Sequence, residues 1–290
     1  MMLFEMLGYR EIDIAVLVLV ALVYAIYDVF NKRNVPNFFV YATVVIGIVV
    51  AVVFNSNFLG LDLGVAAVVG LIGYAFYRSG LLGGGDVLEF VFIALVMPVQ
   101  IQPLLGGPYQ FNIPFILSVL MAAGYASIIF IPAYYLGFKK PKRNSGPGRK
   151  GIVVGAVFFV AYVALILALE FTFGISLLGA ALVLVLAVMS AITMAYEKRV
   201  YLGMVSFIYP KQLEDGDMIA TNLMDKKDVA YFKSRTAFGR LATGKLISDL
   251  KNVRKRIPVY RDSVPFSLFI FIGIIVSLLF GNIILAIMGI

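Results

Sequence analysis

Two aspartates stand out in a chain with few charges. Asp28 lies in the stretch YAIYDVFNKRNVPN, and Asp86 lies in SGLLGGGDVLEFVF, directly behind three glycines. A carboxylate in a membrane-length apolar run is costly, and such residues are usually functional or paired. Fifty-eight positions separate the two, and the chain between them holds two further apolar runs. It therefore goes out and comes back, which puts both carboxylates at one depth on one side of a bilayer. If the first and fourth runs are neighbours, the two can meet. Close carboxylates cannot both ionise cheaply, so they share one proton. One then acts as general base on a water while the other, protonated, donates to a carbonyl oxygen. That chemistry needs no histidine, cysteine or metal.

The elements that must position the pair are read from composition. The chain has 290 residues, 62% of them hydrophobic and 14% charged, with a mean hydropathy of +0.99. A soluble domain with that surface would aggregate, so the bilayer is its expected solvent. There is no cysteine and no histidine. This excludes a Cys nucleophile, a Ser-His-Asp triad, a zinc finger and an HExxH metalloprotease. No metal and no cofactor is expected. The net charge of +8 comes from 24 Lys and Arg against 16 Asp and Glu. Membrane orientation explains it better than nucleic acid, which is not an expected partner.

Apolar runs of roughly 17–25 residues can cross a hydrocarbon core of about 30 Å as helices. Eight are read, at 12–30, 37–54, 63–79, 86–102, 113–136, 151–170, 174–194 and 265–288. Pro98, Pro114 and Pro132 lie inside these runs and are expected to kink them. Counting connections alternately from an outside N-terminus places 23 of the 24 basic residues on one side and only Arg10 on the other. By the positive-inside rule the basic side is the cytoplasm, and Asp28 and Asp86 share it. The first run is not a cleaved signal peptide, because Lys32 and Arg33 follow it.

The expected fold class is an all-α polytopic integral membrane protein of about eight transmembrane helices, with a small α+β cytoplasmic domain before the last. Residues 1–136 form the membrane bundle with both aspartates, and the basic stretch GFKKPKRNSGPGRK (137–150) is a linker. Residues 151–194 hold two further spans, 195–264 the cytoplasmic domain and 265–290 the C-terminal helix. In the polar domain LEDGDM (213–218) reads as a turn. Leu246, Ile247, Leu250 and Val253 recur at helical spacing.

Glycines supply a reason for the location of Asp86. Without Cβ atoms, Gly83, Gly84 and Gly85 let backbone or an extended substrate strand approach closely. The plainer alternative is a tight interfacial turn, with Asp86 capping the helix behind it. Asp28 has a plain alternative too, an interfacial ion pair with Lys32 one turn on. The matched depth and side of the two favour a catalytic pair.

At these residues the sequence resembles the GxGD aspartic peptidases of membranes, specifically the archaeal type IV prepilin and preflagellin (pre-archaellin) peptidases. The signature stands as Gly83-Gly84-Gly85-Asp86, and the family's first aspartate, before a short basic loop ending in Val-Pro-Asn, matches Asp28 followed by Val35-Pro36-Asn37. The resemblance covers roughly residues 10–136; the C-terminal part looks like an archaeal extension. It implies cleavage of short basic leaders from pilin-like or archaellin precursors at the cytoplasmic membrane face. Asp28 and Asp86 would be catalytic, Gly83, Gly84 and Gly85 would shape the substrate turn, and Pro36 and Asn37 would fix the loop holding Asp28. The implied partners are precursor proteins and membrane lipid.

Three departures matter. Without cysteine, the zinc region and the methyl transfer of bacterial members are not expected. The family's Lys two residues after the second aspartate is Leu88, and Glu89 follows, making the site more acidic. The later spans exceed the usual core.

Two other readings compete. Tyr27-Asp28 matches the Tyr-Asp motif of presenilin-like and signal-peptide-peptidase-like proteases, but Pro-Ala-Leu is absent, with Val264-Pro265-Phe266 nearest to it. An ion- or proton-coupled transporter would use Asp28 and Asp86 nearer the midplane. Among weaker signals, GRLATGKL (239–246) has Walker A spacing, but Leu246 replaces the Ser/Thr, so no nucleotide is expected. The run KNVRKR (251–256) is either a solvated helix face or a lipid-headgroup contact. Glu214, Asp215 and Asp217 are either a solvated turn or, with Glu89, an attractor for a basic leader.

Overall fold

A computed structural model describes residues 2–31, 35–79, 82–99, 101–105, 113–138, 146–262 and 264–283. The basic residues Lys32, Arg33, Lys139, Lys140, Lys142 and Arg143, and the last run beyond Ile283, lie outside the described residues.

Each apolar run folds as a helix. In chain order these are α1 (Met2–Phe30), α2 (Asn37–Val53), α3 (Leu59–Arg78), α4 (Gly84–Val96), α5 (Phe115–Ala133), α6 (Arg149–Phe173) and α7 (Leu177–Ala195). The polar region adds α8 (Glu197–Met204), α9 (Lys226–Lys233) and α10 (Gly244–Leu250) before the apolar α11 (Phe266–Phe280). Among the described residues, eight full spans are not reached. Five helical stretches are long and apolar enough to cross a membrane, while Asn37–Val53 and Phe266–Phe280 are shorter. Helix α4 has 13 residues, about 20 Å at 1.5 Å per residue.

Prolines explain the difference. Met97 leaves helical geometry at φ −140° and ψ 82°, because the ring of Pro98 crowds the residue before it and offers no N–H to continue the ladder. Pro98 therefore ends a helix where a kink is expected. Pro114 is the N-cap of α5, and Pro132 alone of the three lies inside a helix, followed by a π-helical turn at Tyr134–Phe138. Gly281, at φ 74°, closes α11 after Phe280, and the expected end at 288 lies outside the described residues. Past α4 the chain turns back on α11. The amides of Leu104 and Leu105 donate to the carbonyls of Leu278 and Leu279, at 3.0 and 2.8 Å, satisfying groups that a helix end leaves open.

Helix α4 is the most enclosed, packed on α2, α3 and α1, while α11 fits between α1 and α5. Leu17 and Ala21 of α1, Phe90, Phe92 and Ile93 of α4, Phe115 and Val119 of α5, and Ile270 and Ile274 of α11 form one apolar core. The helix 239 residues downstream of Asp28 is thus part of the same bundle. Its closeness to α5 depends on Gly273, where an added Cβ would sit 2.6 Å from the Val119 carbonyl oxygen; membrane helices use small residues in this way. Helices α6 and α7 pair as a hairpin tied to α5, with the Tyr125 hydroxyl donating to the Leu182 carbonyl at 2.6 Å.

Residues 205–262 build a small unit around Leu213, Ile219, Phe232, Leu246, Leu250, Ile257 and Val259. Strands β1 (Ser206–Ile208) and β2 (Ile257–Val259) pair antiparallel, with Phe207 opposite Pro258. Helix α10 stops at Leu250, shorter than the spacing through Val253 suggests; Val253 turns back to bond the Leu250 carbonyl and packs on the same core. In the LEDGDM turn Gly216 takes φ 91°, a left-handed conformation that favours glycine.

Arg261 locks this turn to β2. It donates to Asp217 at 2.6 Å, to Glu214 at 3.3 Å and to the Gln212 carbonyl at 2.8 Å. The hydrogen bond to Asp217 pushes its pKa above the already high ordinary value. Two of the three acids offered as a leader attractor are therefore engaged within the unit. Arg261→Met keeps the stem but strips Asp217 of its cation, and should lower the stability of this unit by about 1–3 kcal/mol. Limited proteolysis across 205–262 checks this; cleavage no faster than in the unsubstituted protein would show the bridge to be dispensable.

Candidate active site

Asp28 is in the last turn of α1 and is 7% exposed. One of its oxygens, Oδ2, accepts from the backbone amide of Ser267 at 2.9 Å, in the first turn of α11. Tyr24, one turn earlier, is fully buried; its hydroxyl bonds Thr43 Oγ1 of α2 at 2.9 Å, and its ring packs edge-on against Phe39. Tyr27 packs on Phe39 as well. Between these contacts lies Pro36, the N-cap of α2, whose carbonyl accepts from Val40, with Asn37 exposed as the first helical residue.

Asp86 occupies the first turn of α4 and is partly exposed. Its Oδ2 accepts from the amide of Gly83, the N-cap, at 3.2 Å. The capping role is real, and it does not exclude another. The three glycines differ. A Cβ on Gly83 would meet Asp86 Oδ2 at 2.9 Å, one on Gly84 would touch the Tyr77 ring at 3.5 Å, and one on Gly85 would meet nothing within 4 Å.

This contrast separates fold from function. Gly83→Ala should push the Asp86 carboxylate off the Gly83 amide and lower kcat by about tenfold or more. Gly85→Ala should leave stability within about 0.5 kcal/mol, so a rise in KM there reports a substrate strand lying on the turn. Equal kinetics for both variants and the parent enzyme would show that the turn matters neither to Asp86 nor to a substrate.

Glu89, one turn along α4, is fully buried, and neither carboxyl oxygen has a hydrogen bond among the described residues. It lies in electrostatic reach of both Asp86 and Asp28, with the Ser267 hydroxyl also acting on it. Tyr24 in turn feels both Glu89 and Asp86. The ends of α1 and α4 thus bring three carboxyls into one neighbourhood. Burial removes Glu89 from the surface where it would attract a basic leader, so the expected substrate contact does not fit its position.

A second acidic pair, Asp13 and Asp62, lies apart from these three carboxyls. Asp62 on α3 is fully enclosed, with neither oxygen hydrogen-bonded among the described residues, and Asp13 on α1 beside it is 6% exposed. Asp13 lies about 22 Å along α1 from Asp28, at 1.5 Å per residue. No group of three or more acidic side chains with metal-binding geometry occurs among the described residues.

The described helices gather carboxyls in a chain that has no histidine and no cysteine. Residues 15–131, which carry both Asp28 and Asp86, match the model of the type IV leader peptidase family. The matched stretch is thus similar to a family of aspartic leader peptidases. Comparison with curated proteins and with solved structures gave no match.

Proposed function

We propose that the protein is a membrane endopeptidase that removes short basic leaders from type IV pilin-like or archaellin precursors, using Asp28 and Asp86 as a shared-proton dyad. The supporting observation is that α1 and α4 pack together with Asp28 in the last turn of one and Asp86 in the first turn of the other. One carboxylate takes a proton from water as its oxygen bonds the scissile carbonyl carbon. The other gives its proton to the carbonyl oxygen. Collapse then breaks the C–N bond, and the amine leaves with a proton from the dyad.

The asymmetry of basic residues supports a cytoplasmic site with the N-terminus outside. A precursor's hydrophobic helix would stay in lipid while its basic leader reaches the turn at Gly83, Gly84 and Gly85. Pro36 and Asn37 would set the loop after Asp28. An archaeal origin and archaellin-type substrates fit the C-terminal extension seen in the sequence.

The test is reconstitution with a panel of tagged precursors carrying basic leaders, with products sized by mass spectrometry. Cleavage just ahead of the hydrophobic segment, lost in Asp28→Asn and in Asp86→Asn, is the expected result. Cleavage that survives either substitution would overturn the dyad.

A further inference from the structure

The family match ends at residue 131, yet the site is not complete there. The amide that holds Asp28 comes from Ser267. Ser267 is the second residue of α11, and both the residue and its hydroxyl are enclosed beside Glu89. Phe266 packs edge-on against Phe90 of α4, ring centroids 6.3 Å apart. Just upstream, the Asp262 amide bonds the Met204 carbonyl, and its own carbonyl accepts from the Tyr135 hydroxyl at 2.6 Å. The first turn of α11 is therefore clamped from several sides and delivered to the carboxyl cluster. A helix N-terminus presents free N–H groups and partial positive charge, which suit a carboxylate.

We propose that Ser267 is a positioning residue of the peptidase site: its backbone amide orients the Asp28 carboxylate toward Asp86, so the C-terminal helix is part of the catalytic apparatus. This rests on the reading of Asp28 and Asp86 as the dyad. The titratable groups that Ser267 meets are Asp28 on α1 and Glu89 on α4, and Glu89 is linked in turn to Asp86 and Tyr24, so altering this donor acts on a coupled set.

Position 267 permits a clean test. Proline is tolerated in the first turn of a helix, where the N–H has no intrahelical partner, so Ser267→Pro deletes the donor without deleting a helix bond. Ser267→Ala keeps the amide and removes only the hydroxyl. In the full-length reconstituted enzyme, S267P is expected to lower kcat by about 10- to 100-fold, with KM within about twofold and a displaced pH–kcat profile. S267A keeps the amide and loses only the hydroxyl beside Glu89, so its loss of kcat should be smaller than that of S267P by about fivefold or more.

If S267P does not fold, lactic acid placed at 267 by nonsense suppression, compared with S267A, replaces only the N–H by an ester oxygen. The same loss is expected. Parent kcat and pH profile in S267P, or in the ester, overturn the proposal. So does an equal loss in S267A, which would trace the effect to the hydroxyl or to packing. Asp28→Asn and Asp86→Asn run alongside: if either retains parent kcat the dyad reading fails first, whereas two inactive variants beside an unaffected S267P sink only the role of Ser267.

Discussion

Asparagine at position 28 or 86 is expected to lower kcat for precursor cleavage by about 10³-fold or more, with KM changed only a few-fold. Asparagine keeps the shape and one carbonyl acceptor. At 86 that acceptor can still take the Gly83 amide, and at 28 the Ser267 amide, whose hydrogen bonds are described above. What is lost is the ability to take and give a proton. In the proposed dyad the two groups act as one unit, so the double variant should be no more than about tenfold worse than the weaker single. Single-turnover cleavage at saturating precursor measures this directly. Losses that multiply would mean that the two aspartates work in separate steps.

Gly273→Val is expected to be among the most damaging substitutions away from the carboxyls. Its Cβ would lie 2.6 Å from the Val119 carbonyl oxygen and 3.0 Å from the Ala123 amide. Both neighbours are backbone of α5 and cannot swing aside as a side chain would. The helices must part, which costs about 3 kcal/mol or more. Activity should fall with stability, since Ser267 sits about 9 Å along α11 from Gly273 at 1.5 Å per residue. Gly124→Ala is the matched control: an added Cβ there meets nothing within 4 Å, and stability should hold within about 0.5 kcal/mol. The chain has no tryptophan, so far-ultraviolet circular dichroism in detergent is the appropriate melt. A melting point for G273V equal to that of the G124A control would show that α5 and α11 can separate freely.

Apolar runs reveal where helices form, because only a helix satisfies the backbone polar groups of a single segment within itself in lipid. They reveal length less well. The end of α4 at Val96 depends on one local fact, the geometry that Pro98 imposes on Met97, and hydropathy carries straight through it. Neighbours are harder still. Helix α11 reads FSLFIFIGIIVSLLF and is apolar on every side, so no stripe says that it belongs between α1 and α5. The carboxyls divide the same way. Asp86 behind three glycines announces a helix start, and its bond to the Gly83 amide follows from that. The amide of Ser267 leaves no mark in the sequence beyond a proline two residues earlier, which signals a helix start but not its destination. The burial of Glu89 and Asp62 was equally hidden, since both depend on which helices close over them.

The bond between Ser267 and Asp28 also orders events in time. Translation proceeds at about 5–20 residues per second, so Asp28 waits on the order of ten seconds or longer for its donor after entering the bilayer. During that interval the helices carrying both aspartates and the whole stretch 15–131 are already made. If the Ser267 amide positions Asp28 as proposed, a nascent chain reaches its full activity only when α11 slots home.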